Sequence, residues 1–291
     1  MNVESYTGDK LPIQEFSLGE MCENPSILMI AKRGSGKSWV TKAILFKFHK
    51  IPVGAIISTT EKDNPFFSEF FPDTYIYYKY ESHIIKKILI RQKLMLKKAR
   101  EKKEQGRYID PRAVVVMDDC LADKGSWARD PPIMDLLFNG RHRQITYILT
   151  MQYPLGIKPE LRSNFDYVFL LAEDYISNMK KLYDHYAGMF PDFNSFREIF
   201  RQLTSDFGAM VIKNRGARAN LFDKIAFYKA PDLSKVEVVF GCNQFQKYHK
   251  KNYDPDWEVK QDKVDYEEYM FEKKRNKSRI SVKKVYNEEN N

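Results

Sequence analysis

Short apolar runs alternate with segments of helical periodicity along most of the chain. The clearest run is Ala113–Met117, where consecutive apolar residues without a polar interruption are typical of a central parallel strand. Further runs predict strands at Ile27–Ile30, Ile51–Ser58, Tyr75–Tyr80, Thr146–Met151, Tyr167–Ala172, Gly208–Lys213 and Lys224–Tyr228. Because strands that alternate with helices build sheets with right-handed crossovers, this pattern predicts an α/β fold with a mainly parallel central sheet.

Apolar residues at helical spacing predict the helices that flank this sheet. The longest is Ser82–Gln105, in which an apolar stripe is expected to pack on the sheet while basic residues line the rest. The stripe consists of Ile84, Ile85, Ile88, Leu89, Met95 and Leu96. Other helices are predicted at Lys37–Phe48, Pro131–Phe138, Lys158–Asn164, Tyr175–Tyr186 and Phe193–Leu203.

The apolar pattern weakens near residue 230, which sets the predicted domain boundaries. Residues 1–25 are expected to form an N-terminal lead-in, and residues 26–230 the α/β domain. Residues 231–291 form a charged C-terminal extension, predicted to be extended or partly disordered. Its last part, Lys273–Lys284, carries seven basic residues and no acidic ones.

A glycine-rich loop joins the first predicted strand to the first predicted helix. It reads Ala31, Lys32, Arg33, Gly34, Ser35, Gly36, Lys37 and Ser38, followed by Trp39. The loop matches the Walker A pattern G-x-x-x-x-G-K-[ST] except at Ala31, where one added methyl group should leave the turn intact. We therefore predict a phosphate-binding loop (P-loop) over 31–39 that binds a nucleoside triphosphate.

Each position of the loop has a physical role in that prediction. The glycines let the backbone wrap closely around an anion, and the amides of Gly34–Ser38 would point at the β- and γ-phosphates. The positive end of the following helix dipole adds to this attraction. Lys37 would neutralise phosphate charge, and the Ser38 hydroxyl would be a ligand of Mg²⁺.

Two carboxylates, Asp118 and Asp119, follow the central apolar run. A carboxylate at the end of a buried strand next to the P-loop strand is where an NTPase holds Mg²⁺ through water, so Asp118 is the predicted Walker B metal residue. Asp119 is then predicted to be the general base, or the residue that positions the attacking water. Many ATPases have glutamate there, and aspartate reaches less far because it is one methylene shorter.

A glutamine and two arginines complete the set of candidate catalytic residues. Gln152 follows the Thr146–Met151 strand, and an adjacent strand would bring its amide beside the γ-phosphate, where it could sense hydrolysis. Arg141 and Arg143 lie between the preceding helix and that strand. Either could act as an arginine finger on a neighbouring subunit's nucleotide, or could be a cation that favours the carboxyl end of a helix.

Composition and charge indicate the class of partner and the cellular compartment. The chain has 291 residues, a net charge of +9 and a pI near 9.1, which favours polyanionic partners. The three cysteines lie far apart in the sequence, so we expect neither a disulfide framework nor a zinc site. This use of cysteine predicts a reducing intracellular compartment. The sequence has no run of 18 apolar residues, and Met1–Gln14 lacks the apolar core of a signal peptide.

The positive charge is concentrated in one predicted helix. Between His83 and Arg107 there are ten basic and two acidic residues, which gives +8 of the total +9. The basic face of this helix is either a solvated surface or a surface that contacts the phosphate backbone of a nucleic acid.

The order of the motifs resembles that of a known family. The P-loop segment is followed by AVVVMDD at 113–119, by NGRHRQITYILTMQYP at 139–154, and by IKPELRSNFDYVFLL at 157–171. This set is similar to the genome-packaging ATPases of nucleocytoplasmic large DNA viruses, a branch of the FtsK–HerA superfamily of DNA-pumping motors. The resemblance covers roughly residues 27–230, whereas the basic helix and the C-terminal extension match no motif of the family.

The resemblance implies a RecA-like P-loop NTPase core, ATP and Mg²⁺ as cofactors, and ATP-driven threading of double-stranded DNA into a capsid. It further implies a ring homo-oligomer, a hexamer or a pentamer, that contacts capsid or portal proteins in the host cytoplasm at the viral assembly site, or in the virion. Carried across, Lys37 and Ser38 bind phosphate and Mg²⁺, Asp118 the metal and Asp119 the water, while Gln152 is the sensor. The alternative hypothesis is a nucleotide-gated assembly scaffold or switch with slow ATP turnover, which Asp119 in place of glutamate would permit.

Overall fold

The computed structural model describes residues 11–120, 129–216 and 220–275. The chain forms two compact units, residues 1–250 and 251–291. The described strands are β1 (Ser26–Ile30), β2 (Val53–Ser58), β3 (Ile76–Tyr77), β4 (Ala113–Asp118), β5 (Ile145–Met151), β6 (Tyr167–Leu171), β7 (Gly208–Lys213) and β8 (Ile225–Lys229). The described α-helices are α1 (Lys37–Lys47), α2 (Ser82–Glu104), α3 (Pro131–Asn139), α4 (Pro159–Arg162), α5 (Ile176–Tyr186), α6 (Phe193–Leu203), α7 (Leu221–Lys224), α8 (Asn243–Asn252) and α9 (Trp257–Arg275).

The eight strands form one sheet in the order β3-β2-β4-β5-β1-β6-β7-β8. The pairs from β3 through β6 are parallel, and β7 and β8 close one edge as antiparallel strands. Every predicted strand overlaps an observed one. The predicted α/β fold with a mainly parallel sheet is therefore confirmed.

The position of β5 differs from the prediction. The strand that ends in Asp118 was expected to adjoin the P-loop strand, but β5 lies between them and pairs with both, so this prediction is wrong. The register sets Met151 beside Ile30 and Thr150 beside Asp118. The carboxyl ends of β1, β5 and β4 therefore lie side by side, with polar residues of β5 between the loop and the carboxylates.

Alternate residues of the central strands enter two separate hydrophobic layers, because successive side chains of a strand point to opposite faces of the sheet. On one face, residues such as Val115 and Met117 pack in a cluster with residues of α2, α3, α5 and α6. On the other face, Val114 and Val116 pack in a cluster with α1 and with a group of buried aromatic rings. Burial on both faces explains why β4 is apolar along its length until Asp118.

Helix α2 is attached to the sheet by its first half. Its buried residues are Ile84, Ile85, Leu89 and Gln92, whereas the residues from Lys93 to Glu104 are half-buried or exposed. The Gln92 amide is completely buried and donates to the carbonyl oxygens of Pro111 at 3.0 Å and Arg143 at 2.8 Å. The predicted packing residues Met95 and Leu96 are half-buried, so the basic second half of α2 lies along the protein surface.

The first compact unit continues beyond residue 230. Phe240 is buried and its ring lies 4.8 Å from that of Phe71, and Phe245 of α8 stacks on Tyr75 at 4.0 Å between centroids. The structure thus has α8 and α9 where the sequence pattern predicts an extended or partly disordered segment. Most of the predicted basic tail Lys273–Lys284 lies outside the described residues.

A neighbouring pair of residues tests whether this segment is part of the core. Phe240 is 1% exposed, while the adjacent Val239 is 65% exposed. Phe240→Ala should lower the free energy of unfolding by about 3–5 kcal/mol, because it removes a buried ring and leaves a cavity. Val239→Ala should change it by less than about 0.5 kcal/mol. Urea unfolding measures both, and equal small effects would mean that the segment adds nothing to the core.

Candidate nucleotide-binding site

The loop between β1 and α1 has the backbone geometry of an anion-binding turn. Gly34 and Gly36 have φ values of +74° and +94°, which a residue with a side chain rarely adopts. The Ser35 hydroxyl donates to the Lys32 carbonyl at 2.7 Å and closes the turn. None of the described side chains caps the amino end of α1, where Gly36 is the N-cap residue. The amides of the first helical turn are thus available to an anion.

Lys37 reaches from the start of α1 to the end of β4. Its ammonium lies 3.2 Å from Asp118 Oδ1 and also pairs with Asp119 Oδ2. The three side chains are only 9–13% exposed, so their charges interact in a largely desolvated environment. The sequence-predicted phosphate, metal and water residues are therefore brought together at one point.

Neighbouring strands orient the Asp118 carboxylate. In the sheet register Asp118 lies between Ser58 of β2 and Thr150 of β5. The Thr150 hydroxyl donates to Asp118 Oδ1 at 2.5 Å, and the Ser58 hydroxyl lies 3.3 Å from Oδ2. Both carboxylate oxygens have donors, which fixes the direction in which the group points.

Asp119 leaves the strand in a left-handed conformation, with φ at +49°. Its amide lies 3.3 Å from Thr150 Oγ1, and its carbonyl accepts from the Thr59 hydroxyl at 3.3 Å. The Gln152 amide donates to Asp119 Oδ2 at 2.9 Å. Gln152, the predicted sensor, and Asp119, the predicted water-positioning residue, are thus in direct contact.

Ser38 and Asp118 supply the oxygen ligands that Mg²⁺ prefers. Among the described residues, no three His, Cys, Asp or Glu side chains are grouped so that they could hold a metal ion by themselves. Mg²⁺ at a nucleotide is usually held by one or two protein oxygens together with phosphate oxygens and water. The donor set at Ser38 and Asp118 fits an ion that enters with the nucleotide.

A cavity of about 1080 Å³ lies over the P-loop. The sequence-predicted residues that line it are Ala31, Lys32, Arg33, Gly34, Gly36, Lys37, Ser38, Trp39, Asp118, Asp119 and Gln152. Sequence reasoning missed the remaining lining residues, which are Thr60, Asp63, Asn64, Phe66, Phe207, Lys229, Ala230, Pro231 and Asp232. They come from the loops after β2 and before β7, and from the end of β8 with the segment that follows it. No motif in these segments signals nucleotide binding.

The two candidate arginine fingers lie at the amino ends of the parallel strands, whereas the P-loop lies at their carboxyl ends. Arg141 pairs with Asp166 at 3.1 Å and Arg143 with Asp135 at 2.6 Å. Both arginines precede β5, whereas the P-loop lies near its carboxyl end, roughly 20 Å away along a seven-residue strand. The structure does not bring them to the cavity of their own chain, and the role of a finger on a neighbouring subunit stays a prediction.

The glycine-rich loop, the paired carboxylates and the extra strand β5 define the class of P-loop NTPase folds. The fold is similar to that of the genome packaging NTPase B204 from Sulfolobus turreted icosahedral virus 2, solved in complex with AMPPCP. The TM-score is 0.50 with 15% sequence identity, over 72% of this chain and 98% of that chain. At this identity the likeness concerns the fold.

The chain belongs to a family of proteins of large DNA viruses. It is 41% identical over 276 residues to "Uncharacterized protein L437" of Acanthamoeba polyphaga mimivirus, over 94% of this chain and 96% of that protein. It is 34% identical over 233 residues to "Uncharacterized protein 075L" of Invertebrate iridescent virus 6, over 78% and 85% of the two chains. No protein-family model matches the chain. These relatives and the fold confirm the predicted resemblance.

Lys37 is the residue on which nucleotide binding should depend most. Lys37→Ala removes the ammonium that would neutralise phosphate charge, so binding of ATP and of inorganic tripolyphosphate should both fall below detection in calorimetry. Lys47→Ala, at the exposed last turn of the same helix, is the matched control and should bind both as the unmodified protein does. Undiminished tripolyphosphate binding by Lys37→Ala would contradict the assignment of the P-loop.

Proposed function

We propose that this protein is an ATPase that drives double-stranded viral DNA into the capsid during genome packaging. The observation that carries the proposal is the group formed by Lys37, Asp118, Asp119 and Gln152 at a P-loop. This group contains a phosphate-neutralising cation, a metal-binding carboxylate, a candidate base and a candidate sensor. The family of viral proteins and the fold shared with a packaging NTPase support the same proposal.

In this mechanism the P-loop amides and Lys37 bind the β- and γ-phosphates. Ser38 and Asp118 would hold Mg²⁺, which neutralises the charge that develops on the phosphates. Lys37 is paired with both carboxylates, so a bound triphosphate competes with Asp119 for the ammonium. The released Asp119 carboxylate can then accept a proton from the attacking water.

Gln152 connects this step to the rest of the protein. Its amide binds the Asp119 carboxylate, so a change in the contacts of that carboxylate on hydrolysis changes those of Gln152. The segment after Gln152 is attached to α5 by a hydrogen bond of 2.6 Å from the Tyr186 hydroxyl to the Pro154 carbonyl. We assign Gln152 the sensing role on these contacts.

The proposed DNA contact is the basic half of α2. Lys93, Lys97 and Lys98 are exposed, and within the described residues of this half the recorded ion pair is a long one, from Lys97 to Glu101 at 4.0 Å. Charges on an exposed helix are available to phosphates, and such contacts do not depend on base sequence.

The assembly is the remaining part of the proposal. We propose a ring of identical subunits, pentameric or hexameric, that contacts capsid or portal proteins, in the host cytoplasm at the viral assembly site or in the virion. Arg141 or Arg143 would then reach a neighbouring subunit's nucleotide. No helix among the described residues has the length and apolar character needed to cross a membrane.

The competing function is a nucleotide-gated scaffold or switch with slow turnover. The observation that favours it is that Asp119, already shorter than glutamate, is held by both Lys37 and Gln152. Duplex DNA separates the two functions, because a packaging motor should hydrolyse ATP faster when DNA is present. Turnover that does not respond to duplex DNA would favour the switch.

Asp119 provides a test of the chemistry. Asp119→Asn keeps the shape of the side chain but cannot accept the proton of the attacking water, so ATP turnover should fall by about 10² or more. The affinity for ATP should be largely retained. Asp63→Asn, which changes another carboxylate that lines the cavity, is the control and should turn ATP over at a near-normal rate. Near-normal turnover of Asp119→Asn would move the base elsewhere.

Four lysines of α2 provide a test of the DNA contact. The joint change of Lys93, Lys97, Lys98 and Lys102 to Gln should weaken duplex DNA binding and leave ATP binding intact. Each lost phosphate contact should reduce the slope of log K against log salt by about 0.9. The control removes the same charge from four exposed lysines outside α2, which are Lys47, Lys50, Lys235 and Lys247. An equal salt slope in the two variants would make α2 a solvated outer face.

A further inference from the structure

The cavity is longer than the group of residues that would bind the triphosphate. The carboxylates and Gln152 follow β4 and β5, which lie on one side of β1 in the sheet. On the other side of β1, the loops before β7 and after β8 also line the cavity. These two loops lie at the carboxyl ends of the parallel strands, because β7 is antiparallel to β6 and β8 is antiparallel to β7.

Phe207 occupies an unusual position in the first of these loops. Its side chain lines the cavity and is 60% exposed, and its φ is +60°. A methyl group built on Gly36 would lie 3.5 Å from Phe207 Cβ, so the aromatic residue lies directly beside the P-loop. A bulky residue with positive φ is rare, and one that leaves its ring exposed gains no burial in exchange.

The backbone around Phe207 is held in this conformation by several contacts. The Gly208 amide donates to the Ser205 carbonyl at 2.9 Å, and the two central residues, Asp206 and Phe207, both have positive φ, as in a type I′ turn. A Cβ on Gly208 would approach the Leu203 carbonyl oxygen to 2.3 Å, so the turn is closely packed.

A charged contact attaches this turn to the second loop. Asp206 forms an ion pair with Lys229, the last residue of β8. The residues that follow, Ala230 and Pro231, are apolar and line the cavity with Phe207. Together with Phe207 they form an aromatic and apolar surface on the side of the cavity away from Asp118 and Asp119, next to the charged Lys229 and Asp232.

We infer that Phe207 is the platform on which the base of the bound nucleotide stacks. The inference rests on the proposed nucleotide binding, because it takes the γ-phosphate to lie beside Lys37 and Asp119. The nucleoside then extends away from β4, past Gly36, and its base meets the Phe207 ring. Stacking on an aromatic ring favours any base, since every base has a π-face, so Phe207 adds affinity for nucleotides without selecting among them.

Trp39 and Phe66 are the competing aromatic positions, since both also line the cavity. The Lys42 ammonium lies over both rings, at 5.6 Å from the Trp39 ring centre and 5.7 Å from that of Phe66. The Phe66 ring also packs edge-on against Phe70. These contacts engage one face of each ring and an edge of Phe66. Trp39 is 39% exposed, whereas Phe207 is 60% exposed.

The test compares ATP, GTP and inorganic tripolyphosphate as ligands of the full-length protein in calorimetry. Phe207→Ala should raise the Kd for ATP and for GTP by about tenfold or more, while the Kd for tripolyphosphate stays the same. Phe207→Tyr, which keeps an aromatic ring, should bind all three ligands as the unmodified protein does. Phe138→Ala, at an exposed phenylalanine of α3 that does not line the cavity, is the matched control and should leave the three affinities unchanged. Phe66→Ala tests the competing ring.

Phe207→Gly separates a binding role from a structural one. Glycine adopts positive φ without strain, so this variant should be at least as stable to heat as the unmodified protein, although it binds ATP more weakly. An unchanged Kd for ATP in Phe207→Ala, or a loss caused by Phe66→Ala instead, would overturn the inference. Equal loss of ATP and tripolyphosphate would also overturn it, because the ring would then support the loop rather than the base.

The same experiment distinguishes this inference from the proposed function. If Lys37→Ala abolishes tripolyphosphate binding while the Phe207 variants bind ATP normally, the P-loop binds phosphate and only the base platform is wrong. If the protein binds neither ATP nor tripolyphosphate, both the proposed function and the inference are wrong.

Discussion

The ion pairs between Lys37 and the two carboxylates join parts of the chain that are far apart in sequence. They connect the first residue of α1 to the end of β4, and all three side chains are nearly buried. A charge in such a place is costly unless it is paired, so each partner constrains where the others can lie. The sheet meets this constraint because its parallel strands end at a common edge, where the buried apolar pattern gives way to polar residues.

Strand β5 sets the spacing of that group. Neighbouring strands lie about 4.8 Å apart, so β4 is roughly 10 Å from β1, and the Lys37 side chain extends over the end of β5 to reach Asp118. Two polar residues at the end of β5 fill this gap. The Thr150 hydroxyl contacts Asp118 Oδ1 and lies 3.3 Å from the Asp119 amide, while Gln152 binds the Asp119 carboxylate. Strand β5 thus separates β1 from β4 and also supplies side-chain contacts to both carboxylates.

The two ends of the parallel strands carry different residues. The P-loop, the carboxylates and Gln152 lie at the carboxyl ends, whereas Arg141 and Arg143 lie at the amino ends in ion pairs. Helix α2 is attached near the amino ends of the strands, since the Gln92 amide donates to the carbonyls of Pro111 and Arg143, which precede β4 and β5. The nucleotide site and the basic helix are therefore attached to opposite ends of the same two strands.

The sequence by itself determined most of the elements before residue 230 and the glycine-rich loop, because these depend on local patterns. The spacing of apolar residues predicts strands and helices. The loop Ala31–Ser38 contains within eight residues the glycines, the lysine and the serine of a phosphate-binding loop. The tertiary structure decided that β5 lies between β1 and β4, and that Phe240 and Phe245 pack in the core. It also brought Phe207 to Gly36. Strand order, antiparallel return and packing between distant segments arise from long-range contacts, which no local pattern encodes.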